Sequence, residues 1–191
     1  ETGSLSAAIL AGRKLVETPF FGFLDDDDEY LPGAVDIRLA AMHQNPEASL
    51  VVTNGYRHID GVDRIAMSKL ANVENDPLSE LFNENWLASC GGLYRTSHLP
   101  IALFDDIARY LEWTWLAYRI TCLNKRVIVV DQPTFRINDS DISESKSDEY
   151  LFSRIAILGR MHSLCNNQKI RMKIATKMAQ TWHEISCVNL Q

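Results

Sequence analysis

The sequence lacks most of the marks that assign a function at once. Four cysteines occur in 191 residues, at positions 90, 122, 165 and 187, and none forms a Cys-x-x-Cys pair. That argues against a zinc ribbon or a disulfide framework and leads us to expect free thiols in a reducing, cytoplasmic compartment. The histidines His43, His58, His98, His162 and His183 show no metal-ligand spacing. No run approaches the roughly 18–20 apolar residues of a membrane span, and no signal peptide is visible. A basic excess is missing as well. The formal net charge is −6, which gives no electrostatic reason to expect nucleic acid as a partner. There is no internal repeat or low-complexity tract. The first residue is not Met, and the chain reads as a segment of something longer.

What is present is ordinary globular composition, 46% hydrophobic and 23% charged, in a length that suits one domain with a real core. Leu5, Ile9 and Val16 fall at helical spacing, so residues 4–17 read as an amphipathic helix that ends before Pro19. Residues 20–24 are apolar with three aromatics and suit a buried strand. Pro32 opens a second helix to about Gln44. Residues 50–58 begin as a β-branched strand, and Asp60-Gly61 predicts a hairpin turn into residues 64–68. Residues 77–83 read as a short helix. Residues 86–95 read as a strand broken at Gly91-Gly92, and 112–123 as a helix. Residues 126–131 and 133–137 read as extended segments and 138–148 as a polar loop. Two helices close the chain. In the second, Ile170, Ile174, Met178 and Trp182 recur every four residues as one apolar stripe. Mixed strands and helices make the class α/β.

The most informative segment is Asp25-Asp26-Asp27-Asp28-Glu29, directly after the apolar run. Five consecutive carboxylates repel one another unless a cation joins them. In α/β sheets, ligands collect beyond the carboxyl ends of strands. Hard cations such as Mg²⁺ and Mn²⁺ take carboxylate oxygens and share their shell with phosphates. In extended chain, residues i and i+2 point the same way, so Asp25 and Asp27 can reach one metal while Asp26 faces elsewhere. The bland alternative is a solvated acidic turn that complements the next helix N-terminus. Of two other Asp-x-Asp readings, an EF-hand fails on paper and a metal-dependent phosphohydrolase stays as a weaker third option. An EF-hand loop from Asp25 would need Gly and Glu where Tyr30 and Asp36 stand. A phosphohydrolase of the Asp-x-Asp-x-Thr/Val kind would need Thr or Val at Glu29.

Leu24-Asp25-Asp26-Asp27-Asp28-Glu29-Tyr30-Leu31-Pro32 resembles the strand, Asp-x-Asp and following Pro of family 2 inverting glycosyltransferases with the GT-A fold. The Ala-rich helix before it is similar to the family's helix leading into the metal strand. Ser89-Cys90-Gly91-Gly92-Leu93-Tyr94-Arg95 resembles the acceptor-side strand, and Leu103-Phe104-Asp105-Asp106 the "Gly-Phe-Asp-Glu" segment. Glu112-Trp113-Thr114-Trp115-Leu116-Ala117-Tyr118-Arg119 resembles the "Glu-Asp-Trp-Asp-Leu-x-x-Arg" helix start. Pro133-Thr134-Phe135-Arg136-Ile137 is similar to the late strand before a family His. Together these cover roughly residues 4–143.

The resemblance implies a GT-A-like mixed sheet flanked by helices, with a partial glycosyltransferase domain at 1–145 and a C-terminal helical extension at 146–191. It implies a metal-dependent, inverting transfer of a sugar from a nucleotide-sugar donor to a saccharide or lipid-linked acceptor. Asp25 and Asp27 are the expected ligands of Mn²⁺ or Mg²⁺. Asp25, Asp26, Gly91, Gly92 and Trp113 are the expected donor or substrate contacts. Departures matter here. Trp113 stands where the family places its catalytic Asp, which leaves Glu112 as the expected base. Asn138 stands where a metal-completing His is usual. The family's nucleotide-binding βα units precede the segment matched here, so an incomplete domain is expected, and a non-catalytic or truncated domain without turnover is the alternative. Lys169, Arg171, Lys173 and Lys177 form a basic strip that offers a peripheral contact to the inner face of a membrane, against the plainer reading of a solvated helix face.

Overall fold

The computed structural model describes residues 4–106, 108–138 and 147–188. Helices α1 (Leu5–Lys14), α2 (Ala34–Gln44), α3 (Pro77–Leu81), α4 (Glu112–Cys122), α5 (Asp148–Leu164) and α6 (Gln168–Val188) surround one sheet. Its strands are β1 (Phe20–Gly22), β2 (Glu29–Tyr30), β3 (Leu50–Ile59), β4 (Val62–Ile65), β5 (Gly92–Arg95) and β6 (Val127–Asn138). The order is β1-β5-β3-β6-β2, with β4 paired to β3. Only the central β3–β6 pair is parallel among the described pairings.

Strand alternation sorts the side chains into two cores. Leu50, Val52, Tyr94, Val127 and Phe135 join the larger one, under α1 and α4. Val51, Leu93 and Ile128 face the other way and pack with Ala41 and Met42 of α2. Ser4 caps α1 by accepting from the Ala7 N–H. Asp60 and Gly61 both take positive φ, 51° and 78°, as a type I′ hairpin turn requires. The turn is that tight, so β4 starts at Val62 instead of at residue 64.

Three expectations change. The residues before Gly91-Gly92 do not extend β5; Ser89–Gly91 form a 3₁₀ turn and the strand begins at Gly92. The two late extended segments are one strand, β6, despite Pro133. Proline is tolerated there because the β3–β6 register slips around it, with Thr53 opposite Val130 and Asn54 opposite Pro133. Asn54 bridges the irregularity, donating to Asp131 Oδ1 at 2.7 Å and to the Met67 carbonyl at 2.9 Å. The α6 stripe also drifts. Ile170, Ile174, Thr181 and Ile185 are buried, whereas Trp182 is half exposed. A strict four-residue step outruns the 3.6-residue turn, so by the third step the side chain has rotated off the buried face.

The helical pair shares the main core through Leu158, Met161, Ile170 and Ile174. Tyr118 of α4 donates to the Met161 carbonyl at 3.0 Å, and the Arg160 guanidinium lies 4.4 Å from the Trp115 ring centroid. Lys173 turns inward to Ser79 Oγ (2.7 Å) and Asn83 Oδ1 (3.1 Å). The expected basic strip is therefore not one continuous outward face. No helix among the described residues is long and apolar enough to cross a membrane. The four cysteines are free thiols. Of the expected loop over 138–148, residues 139–146 lie outside the described residues.

Candidate active site

After β1 the chain runs through Phe23 and Leu24 and then folds back in a turn, closed by the Asp28 N–H to the Asp25 carbonyl at 3.2 Å. The acidic run is thus a turn and not extended strand. Asp25, Asp27 and Asp28 line one open cleft of ≈410 Å³, while Asp26 is exposed outside its described lining. The opposite walls come from Ser89, from Tyr110, Trp113 and Thr114 at the start of α4, and from Arg57, Asn138 and Tyr150.

Neighbours from three elements hold the turn. Asn138, at the end of β6, donates its side-chain amide to the Asp27 carbonyl at 2.6 Å and its backbone N–H to Asp28 Oδ1 at 3.1 Å. The Cys90 thiol donates to Asp28 Oδ2 at 3.4 Å. Burial pushes that thiol up, and the Asp28 charge adds to it, so it stays a donor. Tyr30 Oη donates to the Phe23 carbonyl at 2.6 Å.

Behind the cleft lies a buried polar network. Arg38 is 1% exposed and donates to Thr134 Oγ1 at 2.6 Å and to the Cys90 carbonyl at 2.7 Å, with the Tyr30 ring centroid 4.6 Å away. Burial pulls its guanidinium below its ordinary value. Thr53 links Thr134 (2.5 Å) to the Gly91 carbonyl (3.2 Å). The network ties α2, β3 and β6 to the 3₁₀ turn that carries Ser89.

Burial raises the Asp25 carboxyl above the ordinary carboxylate range, against a hydrogen bond from Ser89; the Asp27 and Asp26 charges push it the same way. Burial also raises Asp28, against its bonds from Asn138 and Cys90. Positive charge placed in this cleft would relieve both. Among the described residues, no cluster of three or more His, Cys, Asp or Glu side chains is disposed to hold a metal by itself.

The structure brings Asp25, Asp27 and Trp113 together as expected lining residues. It places Glu112 elsewhere. Its Oε1 accepts from Ser6 Oγ at 2.9 Å, and it lines a small cavity of ≈20 Å³ with Asp106, Trp115 and Trp113, the last of which this cavity shares with the cleft. Gly91 and Gly92 are buried behind the wall and not in its described lining. A Cβ on Gly91 would lie 3.1 Å from the Phe135 ring, and one on Gly92 would lie 3.0 Å from Tyr94. Their missing side chains make room for neighbours within the protein.

Sequence reasoning missed Ser89, Tyr110 and Tyr150 as lining residues. Tyr110 has φ 69°, a left-handed conformation unusual for a bulky residue. Nothing local in the sequence announces it, and only the tertiary setting selects it.

A mixed sheet flanked by helices, with a carboxylate-lined cleft beyond one of its strands and a C-terminal helical pair, defines a GT-A-like α/β domain. The chain belongs to glycosyl transferase family 2, whose family model matches residues 1–111. The matched segment takes in the acidic turn and ends one residue before α4. No curated protein matches the chain. Membership supports glycosyl transfer in general, with a nucleotide-sugar donor and an acceptor as the classes of substrate.

Proposed function

We propose that this cleft transfers a sugar from a nucleotide-sugar donor to a saccharide acceptor with inversion, using a divalent cation. The reading is carried by one observation: Asp25 and Asp27 open into the same cleft as Ser89 and Trp113. The donor set suits a hard cation, since two carboxylates supply oxygen ligands and a diphosphate and water complete the shell. Mn²⁺ or Mg²⁺, held by Asp25 and Asp27, would take up charge on the departing diphosphate. An acceptor hydroxyl attacks the anomeric carbon from the opposite face. One carbon–oxygen bond forms as the bond to the diphosphate breaks, and the hydroxyl proton passes to water in the open cleft.

The chain's own residues do the positioning. Asn138 and Cys90 fix the acidic turn. Ser89 holds Asp25, and Trp113 offers a flat apolar wall for the face of a sugar. Arg57 is the cation among the described lining residues. Glu112, held by Ser6 outside the cleft, is a positioning residue that ties α1 to α4.

A second reading, a glycosyltransferase-like domain without turnover, is favoured by one observation. Trp113 occupies the cleft wall where the family resemblance leads one to expect a carboxylate base. Calorimetric titration of Mn²⁺ with a panel of nucleotide sugars, followed by a donor-turnover assay, separates the two. Metal-dependent donor binding with turnover supports the first reading, and binding without turnover supports the second. Donor binding of equal strength with and without the cation would remove the metal assignment.

A further inference from the structure

We infer that the C-terminal helical pair builds a second sugar subsite beside the cleft, so that the acceptor is a neutral oligosaccharide of at least two units. The inference rests on the sugar-transfer reading of the cleft and names its acceptor. A second cavity of ≈170 Å³ opens between the end of α3, α4, α5 and α6. It shares Asn85, Leu111, Thr114 and Tyr150 with the acidic cleft, so one wall runs through both. The family match stops before all the residues of α4, α5 and α6 that line it.

The lining has the chemistry of a sugar site. Gln180 presents an amide, both donor and acceptor, which suits vicinal hydroxyls. Asn83 and Asn85, whose amides each hold neighbours within the chain, keep one further amide hydrogen and one oxygen lone pair apiece. Phe82, Leu111 and Leu158 give an apolar floor for the C–H face of a ring. Tyr150 stands between the two cavities, braced by the Arg154 guanidinium 5.9 Å from its ring centroid. Arg154 is itself fixed by Thr181 Oγ1 at 2.8 Å and by an ion pair with Glu184.

Charge decides which acceptor fits. The second cavity is lined by two cations, Arg154 and Lys177, and two carboxylates, Glu84 and Glu184, so its formal charge is zero. A phosphate-bearing acceptor finds no net attraction there, and a lipid chain meets ionic groups in place of continuous apolar wall. On the cleft side, Tyr110 and Trp113 stand as a pair of aromatic walls for the terminal sugar. Tyr110 holds a left-handed backbone, the kind of strain that gathers at ligand sites.

The test uses saturation-transfer NMR on the full chain with neutral disaccharides (lactose, cellobiose, maltose, chitobiose) and their monosaccharides. The expected result is saturation of both rings of at least one disaccharide, with weaker binding of its monosaccharides. Gln180→Trp, which fills the second cavity from an exposed helix position, is expected to abolish saturation of the second ring and leave the first. Saturation of one ring only, of none, or of both rings unchanged in Gln180→Trp overturns the inference. Metal-dependent nucleotide-sugar binding is read separately by calorimetry, so loss of the second subsite and loss of the sugar-transfer reading are distinct results.

Discussion

The side-chain amide of Asn138 donates to the carbonyl of Asp27 at 2.6 Å, so the last residue of β6 fixes the backbone of the acidic turn. The same residue gives its backbone N–H to Asp28. An amide at this position serves as a clamp through its donor group. Removing the side chain in Asn138→Ala deletes one hydrogen bond and keeps the backbone one. Chemical denaturation should show a loss of about 0.5–1.5 kcal/mol. Calorimetry should show Mn²⁺ binding weakened severalfold, because the ligand turn is then held at fewer points. Unchanged cation affinity would mean that the clamp does not position the carboxylates.

The pH dependence of the site follows from the raised carboxyls of Asp25 and Asp28. In the folded chain they keep protons at pH values where the unfolded chain, near its ordinary value of 3.8, has released them. Their stabilising contribution is therefore full below that value and is lost as pH rises through the higher folded values. A cation needs the deprotonated form, so its stabilising effect runs the other way. With Mn²⁺ at about ten times its dissociation constant, roughly 1.4 kcal/mol of stabilisation is expected at neutral pH. For a chain of this size that is a rise in Tm of about 3–6 °C. The rise should shrink at mildly acidic pH and vanish in Asp27→Asn. An equal Mn²⁺ shift in the variant, measured by thermal denaturation, would detach the cation from this turn.

Much of this site was readable in the sequence, and the reasons for the remainder are physical. An apolar run followed at once by five carboxylates pointed to the end of the sheet where the cleft lies, because strand ends are where charge can be exposed without entering a core. The helices α1 and α4 announced themselves by spacing, α2 by the proline before it, and the Asp60-Gly61 turn by its need for positive φ. The choice of which carboxylates meet was harder. Extended chain would have separated the side chains by alternation, but the segment bends, and Asp28 joins Asp25 and Asp27. Glu112 and Trp113 are adjacent in sequence and share the small cavity, yet only Trp113 also reaches the cleft, since neighbouring helix positions point roughly 100° apart. No local pattern could say which of the two faced the cleft.

That separation of Glu112 from the cleft predicts a clean result. Glu112→Gln keeps an oxygen that can accept from Ser6 Oγ and removes only the charge. If Glu112 positions α1 against α4, the variant should retain transfer within about threefold of the parent, as kcat/KM measurements would show. Glu112→Ala, which deletes the acceptor, should lower stability by about 1 kcal/mol. A fall in kcat of about 10² or more in Glu112→Gln, with donor affinity intact, would return this residue to the role of general base.

Phe135 gives the most direct test of how the core shapes the site. Its ring fills the space left by Gly55 on the adjacent strand and reaches the missing side chain of Gly91. A Cβ on Gly55 would fall inside the van der Waals envelope of that ring. Gly55→Ala should therefore cost about 1–3 kcal/mol by overpacking. Phe135→Leu, which shortens the ring, should relieve part of that cost in the double variant, so the two changes should not add. The site should register the same strain. Gly91 follows Ser89 and Cys90 in one 3₁₀ turn, and those two residues hold Asp25 and Asp28. Displacement of the Phe135 ring toward Gly91 should weaken Mn²⁺ binding in Gly55→Ala and restore it in the double variant. Cation affinity that follows stability in the singles but fails to recover with the pair would show that the ring does not transmit strain to the acidic turn.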